Sequence, residues 1–354
     1  MAVSVVSSRW KPVRARHVAG GPGKVCPGFP PLPRGCRLVA GTSLIIGTRA
    51  SQLALWQSNH VKDRLCTLHP GLTVSLERIS TRGDEIQDRP LAAIGRNSLF
   101  VAEIEEALRS RRVRLAVHSA KDLPSTLPAE FTIVAYSERV DPRDALISRA
   151  GRLVELPHGA RVGTSSPRRA CQLKALRPDL ICLDIRGNVD TRLAKLDRGD
   201  YDAIVLAAAG LTRLGWEGRV TEYLEPETML PAVSQGILAI EAHADDAEAA
   251  ALCAPLDHLP SRRQAEAERA FLAAMGAGCN APLAGFATLD GDHLTLRALV
   301  GAPDGRVVRV EERGPLADAV RIGERAAASL SRDGGATLLA EALASPGLPA
   351  HPTA

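Results

Sequence analysis

Aromatic residues make up only 3% of this 354-residue chain, and no run of 18 or more uncharged apolar residues occurs. The first scarcity removes the stacking platforms that hold single-stranded nucleic acid. The second removes any helix that would span a bilayer. The seven cysteines (Cys26, Cys36, Cys66, Cys171, Cys182, Cys253, Cys279) are scattered, odd in number and never spaced as CxxC. That argues against a disulfide framework or a zinc site and favours a reducing compartment. Acidic residues are missing entirely from positions 1 to 42, which carry Arg9, Lys11, Arg14, Arg16, Lys24, Arg34 and Arg37. The formal charge of +4 therefore arises there, because the rest of the chain holds 37 basic residues against 40 acidic ones. A body with that balance is not built to bind nucleic acid.

Residues 1 to 42 are rich in Pro, Gly and Arg and lack hydrophobic periodicity, so they read as a disordered leader. Two origins stay open, an organelle transit peptide and an over-extended start. The expected location is cytoplasmic, or the plastid stroma if the leader is a transit peptide. No apolar interaction stripe stands out, and a monomer is expected.

Between leader and tail, short apolar runs alternate with helical patterns. LIIGT (44 to 48) reads as a strand, followed by a helix from Ser51 to about His69 and the strand TVSLERIS (73 to 80). LFVAEIEEALRSR (99 to 111) has helical spacing, and LAVHS (115 to 119) and FTIVAYS (131 to 137) are strands. A second block repeats the style through RVGTS, PRRACQLKAL, ICLDI, DTRLAKLDR and YDAIVLAAA. The pattern predicts α/β lobes with largely buried parallel strands and a ligand crevice beyond the strand ends. Hinges are expected near Val140 to Arg143 and Pro231 to Gly236. From Ser261 the pattern changes to a helix, a Gly-rich loop, three strands joined by LDGDH and APDGR turns, and a long alanine-rich helix. This is a small α+β domain.

Several clusters carry chemistry. GTSSPRRA (163 to 170) places Ser166 as an N-cap and Pro167 at the first helical position. Arg168 and Arg169 then occupy a first turn whose dipole disfavours cations, which makes sense if a ligand carboxylate or phosphate lies between them. A solvated charged turn is the ordinary alternative. Arg186 and Arg192 in RGNVDTR form a second cluster, and Arg49 and Ser51 in GTRASQLALWQ a third. In LAVHSAKDLP a strand ends in Ser119, Lys121 and Asp122. Asp122 could stabilise developing positive charge at a pyrrole or amine N–H, while Lys121 could hold a carboxylate; the plain alternative is a turn residue. His118 reads as a packed core histidine. Cys279 lies in GAGCNAPLAG, a loop of small residues that exposes sulfur and leaves room for an adduct, against the default of a buried structural cysteine. No metal site is indicated.

Together GTRASQLALWQ, STRGDEIQD, SLFVAEIEEAL, VHSAKDLP, DPRDA, VGTSSPRRACQL, DIRGNVDTRLAKLD, YDAIVLAAAGLTRLG, AVSQGILAIE and GAGCNAPL resemble the porphobilinogen deaminase (hydroxymethylbilane synthase) family from about Leu44 to Ala344. The resemblance implies two lobes like type II periplasmic binding proteins and a third domain bearing a cofactor. The implied division is a leader (1–42), lobe 1 (43–139 and 237–257), lobe 2 (140–236), a cofactor-attachment domain (258–346) and a tail (347–354). It implies a transferase that condenses four porphobilinogen molecules, with loss of their amines, onto a dipyrromethane primer on Cys279, and then releases hydroxymethylbilane by hydrolysis. Asp122 would be catalytic. Lys121, Ser166, Arg168, Arg169 and Arg192 would bind the cofactor, and Arg49, Ser51, Ser119, Arg186 and Arg213 the substrate. Three positions depart from the family pattern: Asn97 stands where Lys is usual, Ser234 where Gly is usual, and Ala277 where Gly is common. Arg96 is the candidate replacement for the charge missing at Asn97, in a loop from Gly83 to Ser98 expected to be mobile. The rival from another class is a non-catalytic carboxylate-binding protein with the same lobes, which would need neither the third domain nor Cys279.

Overall fold

A computed structural model describes residues 43–81, 101–278, 280–345 and 347–351. The leader, Arg96, Asn97 and Cys279 lie outside the described residues.

The first lobe begins with β1 (Ser43–Thr48), α1 (Gln52–Leu68), β2 (Thr73–Arg78), α2 (Ala102–Arg109), β3 (Leu115–Ser119) and β4 (Phe131–Tyr136). Ser51 caps α1 by accepting a hydrogen bond from the Ala54 amide, which occupies one of the orphan N–H groups of a helix start. Leu44, Ile46, Val61, Leu65 and Leu115 share one buried cluster. Burying each of these side chains is worth roughly 1.5 to 3 kcal/mol, and this fixes α1 against the sheet.

The chain crosses after β4 into a second lobe, comprising β5 (Asp144–Ser148), β6 (Arg161–Gly163), α3 (Pro167–Leu176), β7 (Ile181–Leu183), α4 (Val189–Asp197), β8 (Ala203–Ala207), α5 (Ala208–Arg213) and β9 (Glu222–Leu224). It then returns through β10 (Leu238–His243) to the first sheet, whose order is β2-β1-β3-β10-β4. The second sheet runs β7-β6-β8-β5-β9.

The expectation of parallel strands holds for β1 with β2 and β3, and for β6 with β7 and β8. It needs correcting at β10, which is antiparallel to β3 and β4, and at β5, which is antiparallel to β8 and β9. Both are the first strands after a crossing between lobes. Each enters its new sheet from the crevice side, opposite in direction to strands that follow a helix.

The third unit consists of α7 (Leu259–Ala274), which follows α6 (Ala247–Cys253), the antiparallel meander β11 (Leu283–Asp290), β12 (His293–Gly301) and β13 (Val307–Pro315), and helices α8 (Ala319–Leu330) and α9 (Ala336–Ala344). Sequence periodicity suggested one long terminal helix. It is instead divided at Ser331–Gly335, where Gly334 takes φ 92°, a backbone region that Gly enters without steric cost.

Candidate functional site

The turns that follow β1 and β3 open onto one cleft, lined by Arg49, Ser51, Gln57, His118, Ser119 and Asp122, with Leu53, Val101, Ile104 and Val117 as its apolar wall. β3 delivers Ser119, and a single 3-10 turn (Ala120–Asp122) then carries Lys121 and Asp122 past the sheet edge. Gln57, a buried residue of α1, donates from its side-chain amide to the Ser119 hydroxyl at 2.9 Å. Asp122 itself is exposed.

Cations converge on that carboxylate from both lobes. Lys121, Arg169, Arg192 and Arg213 all lie within electrostatic reach of Asp122, although they come from four separate segments. Burial pushes Lys121 down to about 8, with Asp122 opposing that drop and Arg169 reinforcing it. Burial likewise lowers Arg192 to about 10, helped by Arg169 and Arg186, and lowers Arg213 to about 10 against the pull of Asp122. Burial also lowers Arg186, with Asp184 counteracting. The Arg192 Nε donates to the Gly187 carbonyl at 2.8 Å, and the Arg213 Nη2 to the Gly236 carbonyl at 2.9 Å. These carbonyls orient the guanidinium groups, whose opposing charge among the described residues is Asp122 and, for Arg192, also Asp184. Among the described residues, such a gathering of desolvated cations could receive a ligand bearing several negative charges.

The two arginines at the start of α3 also have a partner from within the chain. Arg168 and Arg169 do meet an anion at the start of α3, but the chain supplies it. The buried Asp144 carboxylate accepts from Arg168 Nη1 at 2.7 Å and from Arg169 Nη2 at 2.8 Å. Burial alone would raise Asp144, but the two guanidinium groups hold it well below the usual carboxylate range. Arg168 also donates to the Leu230 carbonyl and Arg169 to the Val205 carbonyl, at 2.8 and 2.9 Å. Asp144 was legible only as part of DPRDA, because nothing in linear spacing pairs it with residues 24 and 25 positions away. Ser166 occupies the N-cap position of α3, but its side chain makes no capping hydrogen bond.

Other contributors were not visible in the pattern. Gln235 donates to Asp144 at 3.0 Å and to the Pro142 carbonyl at 2.7 Å, and accepts from Lys121 at 3.4 Å, so it ties the crossing segments of both lobes to the cation cluster. Arg269 on α7 donates to the Pro124 carbonyl at 2.8 Å, two residues beyond Asp122. That bond holds the helix leading into the Cys279 loop against the turn that carries the carboxylate. His118 is buried and hydrogen-bonded to Glu241 at 2.9 Å, in keeping with a packed histidine, yet it also faces the cleft. Burial pushes the Cys171 and Cys253 thiols up to about 12 and Cys182 up to about 11, so these three offer no thiolate near neutral pH. Among the described residues no group of His, Cys, Asp and Glu could hold a metal ion, and no helix is long and apolar enough to cross a membrane.

Comparison with known proteins adds a family. The model described as "Porphobilinogen deaminase, dipyromethane cofactor binding domain" matches residues 44–251, and "Porphobilinogen deaminase, C-terminal domain" matches residues 263–332. The porphobilinogen deaminase of Roseiflexus sp. (strain RS-1) is 58% identical over 299 residues, covering 84% of this chain and 99% of its own. That of Bordetella parapertussis is 51% identical over 308 residues, covering 86% of this chain and 98% of its own. Among solved structures, a TRAP periplasmic solute binding protein from Desulfovibrio salexigens covers 62% of this chain and 73% of its own, at 12% identity and a TM-score of 0.39, a likeness too distant to carry weight. With both family models matched in order and more than half of the residues shared with relatives along nearly their whole length, the chain belongs to the porphobilinogen deaminase family.

Proposed function

We propose that Asp122 is the catalytic carboxylate of this porphobilinogen deaminase and that the cations around it hold the acetate and propionate groups of its ligands. The transferase activity and the dipyrromethane cofactor come with the family; the assignment of individual residues is our reading. The observation that carries it is the convergence on Asp122 of Lys121, Arg169, Arg192 and Arg213 from both lobes. The donor set suits the cofactor, because a dipyrromethane bears several carboxylates and Lys121, Arg169, Arg192 and Arg213 are desolvated cations gathered at one carboxylate, Asp122. Cys279 would hold it covalently, with Lys121, Arg169 and Arg192 on its carboxylates and Ser166 at the start of α3 nearby. When bound it supplies the pyrrole carbon to which the first substrate is joined.

Each porphobilinogen loses its amine as ammonia, its methylene carbon bonds to the free α-carbon of the chain, and that carbon gives up its proton. Positive charge develops on the reacting ring, and a fixed carboxylate at the ring N–H stabilises it. Asp122 can serve there because its turn is held from two sides, by packing of Leu123 in the lobe 1 core and by Arg269 on the carbonyl of Pro124. Arg49, Ser51 and Ser119 line the same cleft and are assigned to the incoming substrate, with Arg186 and Arg213. Asp144 orients Arg168 and Arg169, so we assign Arg168 to shaping the site and leave ligand contact to Arg169. Residues 43–139 with 237–257, 140–236 and 258–346 are taken as the three working units.

The test is Asp122→Asn, which keeps shape and removes charge. Intact mass should still show the covalent adduct when preformed tetrapyrrole is supplied, while product formation falls at least about a hundredfold. A fully active variant rules out the charge-stabilising role.

A further inference from the structure

The last described residues of the chain do not hang free. Pro349 accepts a hydrogen bond from the Asp184 amide at 2.9 Å, on the open side of β7, an edge strand of the second sheet. A proline there can accept without presenting an unpaired N–H of its own. Leu348 packs against the buried cluster that contains Leu146, Leu180 and Cys182. His351 is 8% exposed and its ring lies against Tyr201, with centroids 5.0 Å apart. Tyr201, itself 2% exposed, donates its hydroxyl to the Asp184 carbonyl at 2.7 Å. Both backbone groups of Asp184 are therefore clamped, one by the tail directly and one through a ring that the tail covers.

Asp184 stands two residues before Arg186, at the root of the loop that runs through Gly187 into α4 and Arg192. Its carboxylate counteracts the burial-driven lowering of both arginines. We propose that the C-terminal tail is a positioning strap for the Arg186–Arg192 loop: by fixing Asp184, it holds that loop where its guanidinium groups meet the ligand's carboxylates. The inference rests on the reading that these arginines bind carboxylates, and it assigns a role in that binding to a segment with no motif. A tail that acts on the loop rather than on the reacting atoms should alter binding more than turnover.

The experiment compares the full chain with a version ending at Ser345, with His351→Ala and with Arg186→Ala. Each is followed by steady-state kinetics with porphobilinogen and by hydrogen exchange resolved at Asp184. Truncation should raise KM about tenfold with kcat changed far less, and should speed exchange of the Asp184 amide while the β8 amides stay protected. His351→Ala, which keeps Leu348 and Pro349, should produce a smaller rise of the same kind and carries the test if the shortened chain folds poorly. An unchanged KM on truncation beside a raised KM in Arg186→Ala overturns the strap and leaves the carboxylate reading standing. Unchanged exchange at Asp184 on truncation also overturns the strap. An unaltered KM in Arg186→Ala overturns the carboxylate reading and the strap with it.

Discussion

Ser234 is a position where a single substitution should make this protein more stable. It lies in the segment by which the chain returns from the second lobe to the first. The Gln235 amide donates to the Ala232 carbonyl at 3.0 Å, and the Ile237 amide donates to the Ser234 carbonyl at 3.2 Å, so two four-residue turns follow one another. The third residue of each has a left-handed backbone: Ser234 at φ 59° and Gly236 at φ 93°. A positive φ at the third position is the type II turn's requirement and favours Gly. The second turn has it, where a side chain would strike the Val140 carbonyl. The first turn has Ser instead. That serine is fully buried, and its hydroxyl has no hydrogen-bond partner among the described residues.

Two penalties are thus stored at one residue, about 1 to 2 kcal/mol for a non-Gly residue in the left-handed region and about 1 to 3 kcal/mol for an unmatched buried polar group. Replacement by Gly removes both. Against this, Gly frees the unfolded chain by about 0.5 to 1 kcal/mol, and loss of one buried carbon costs about 0.8 kcal/mol. Ser234→Gly should therefore stabilise by about 2 kcal/mol, the middle of a range of about 0.2 to 3.7 kcal/mol. The bond from the Ser234 amide to Glu268 belongs to the backbone and survives the change. Equilibrium urea unfolding measures the gain, and a melting temperature raised by about 2 to 4 °C should accompany it. Ser234→Ala separates the causes, because it removes the hydroxyl and keeps the strained backbone, so it should gain less than Gly does. Destabilisation by Gly refutes the reasoning, and equal effects of Ala and Gly remove backbone strain from it.

Other outcomes follow from buried charge. Asp144→Asn leaves two desolvated guanidinium groups without their carboxylate and should cost about 3 to 5 kcal/mol in urea unfolding; a loss below about 1 kcal/mol means solvent reaches Arg168 and Arg169. Glu105 of α2 is raised from 4.5 to about 7, first by burial and then by the nearby Glu241. Because its folded value is the higher one, the native state is penalised progressively as pH rises from 4.5 to about 7 and fully above that. Glu105→Gln should therefore gain roughly 1 to 3 kcal/mol relative to the parent at pH 8 and little at pH 4, read from melting curves at the two values; a gain that shrinks with rising pH contradicts the assignment.

Helices and strands were legible wherever a local pattern made them. PRRACQLKAL and LAVHS coincide with α3 and β3 to the residue, because buried periodicity and a proline at the first helical position act within a few residues of themselves. The alanine-rich C-terminal helix misled, since alanine favours helix on both sides of Gly334 and the break depends on one residue's backbone. DALIS and LAIEAH are strands that no local pattern singles out, and no periodicity states strand direction. Direction is set by where the chain re-enters a sheet after crossing between lobes.

The sequence by itself determined the α/β lobes, the third unit and the residue types at the turns after β1 and β3. Those features rest on local propensity and on motifs that need no distant partner. The tertiary structure decided which charges meet. Arg168 and Arg169 look ligand-seeking in a linear reading of α3, and the fold gives them Asp144 from another strand. Asp122 looks like an ordinary turn residue, and the fold gathers Lys121, Arg169, Arg192 and Arg213 around it. The tail carries no motif, and the fold lays it along Asp184. In each case the deciding quantity is a desolvation cost or an ion pair between residues distant in the chain, which exists only once the intervening chain has folded.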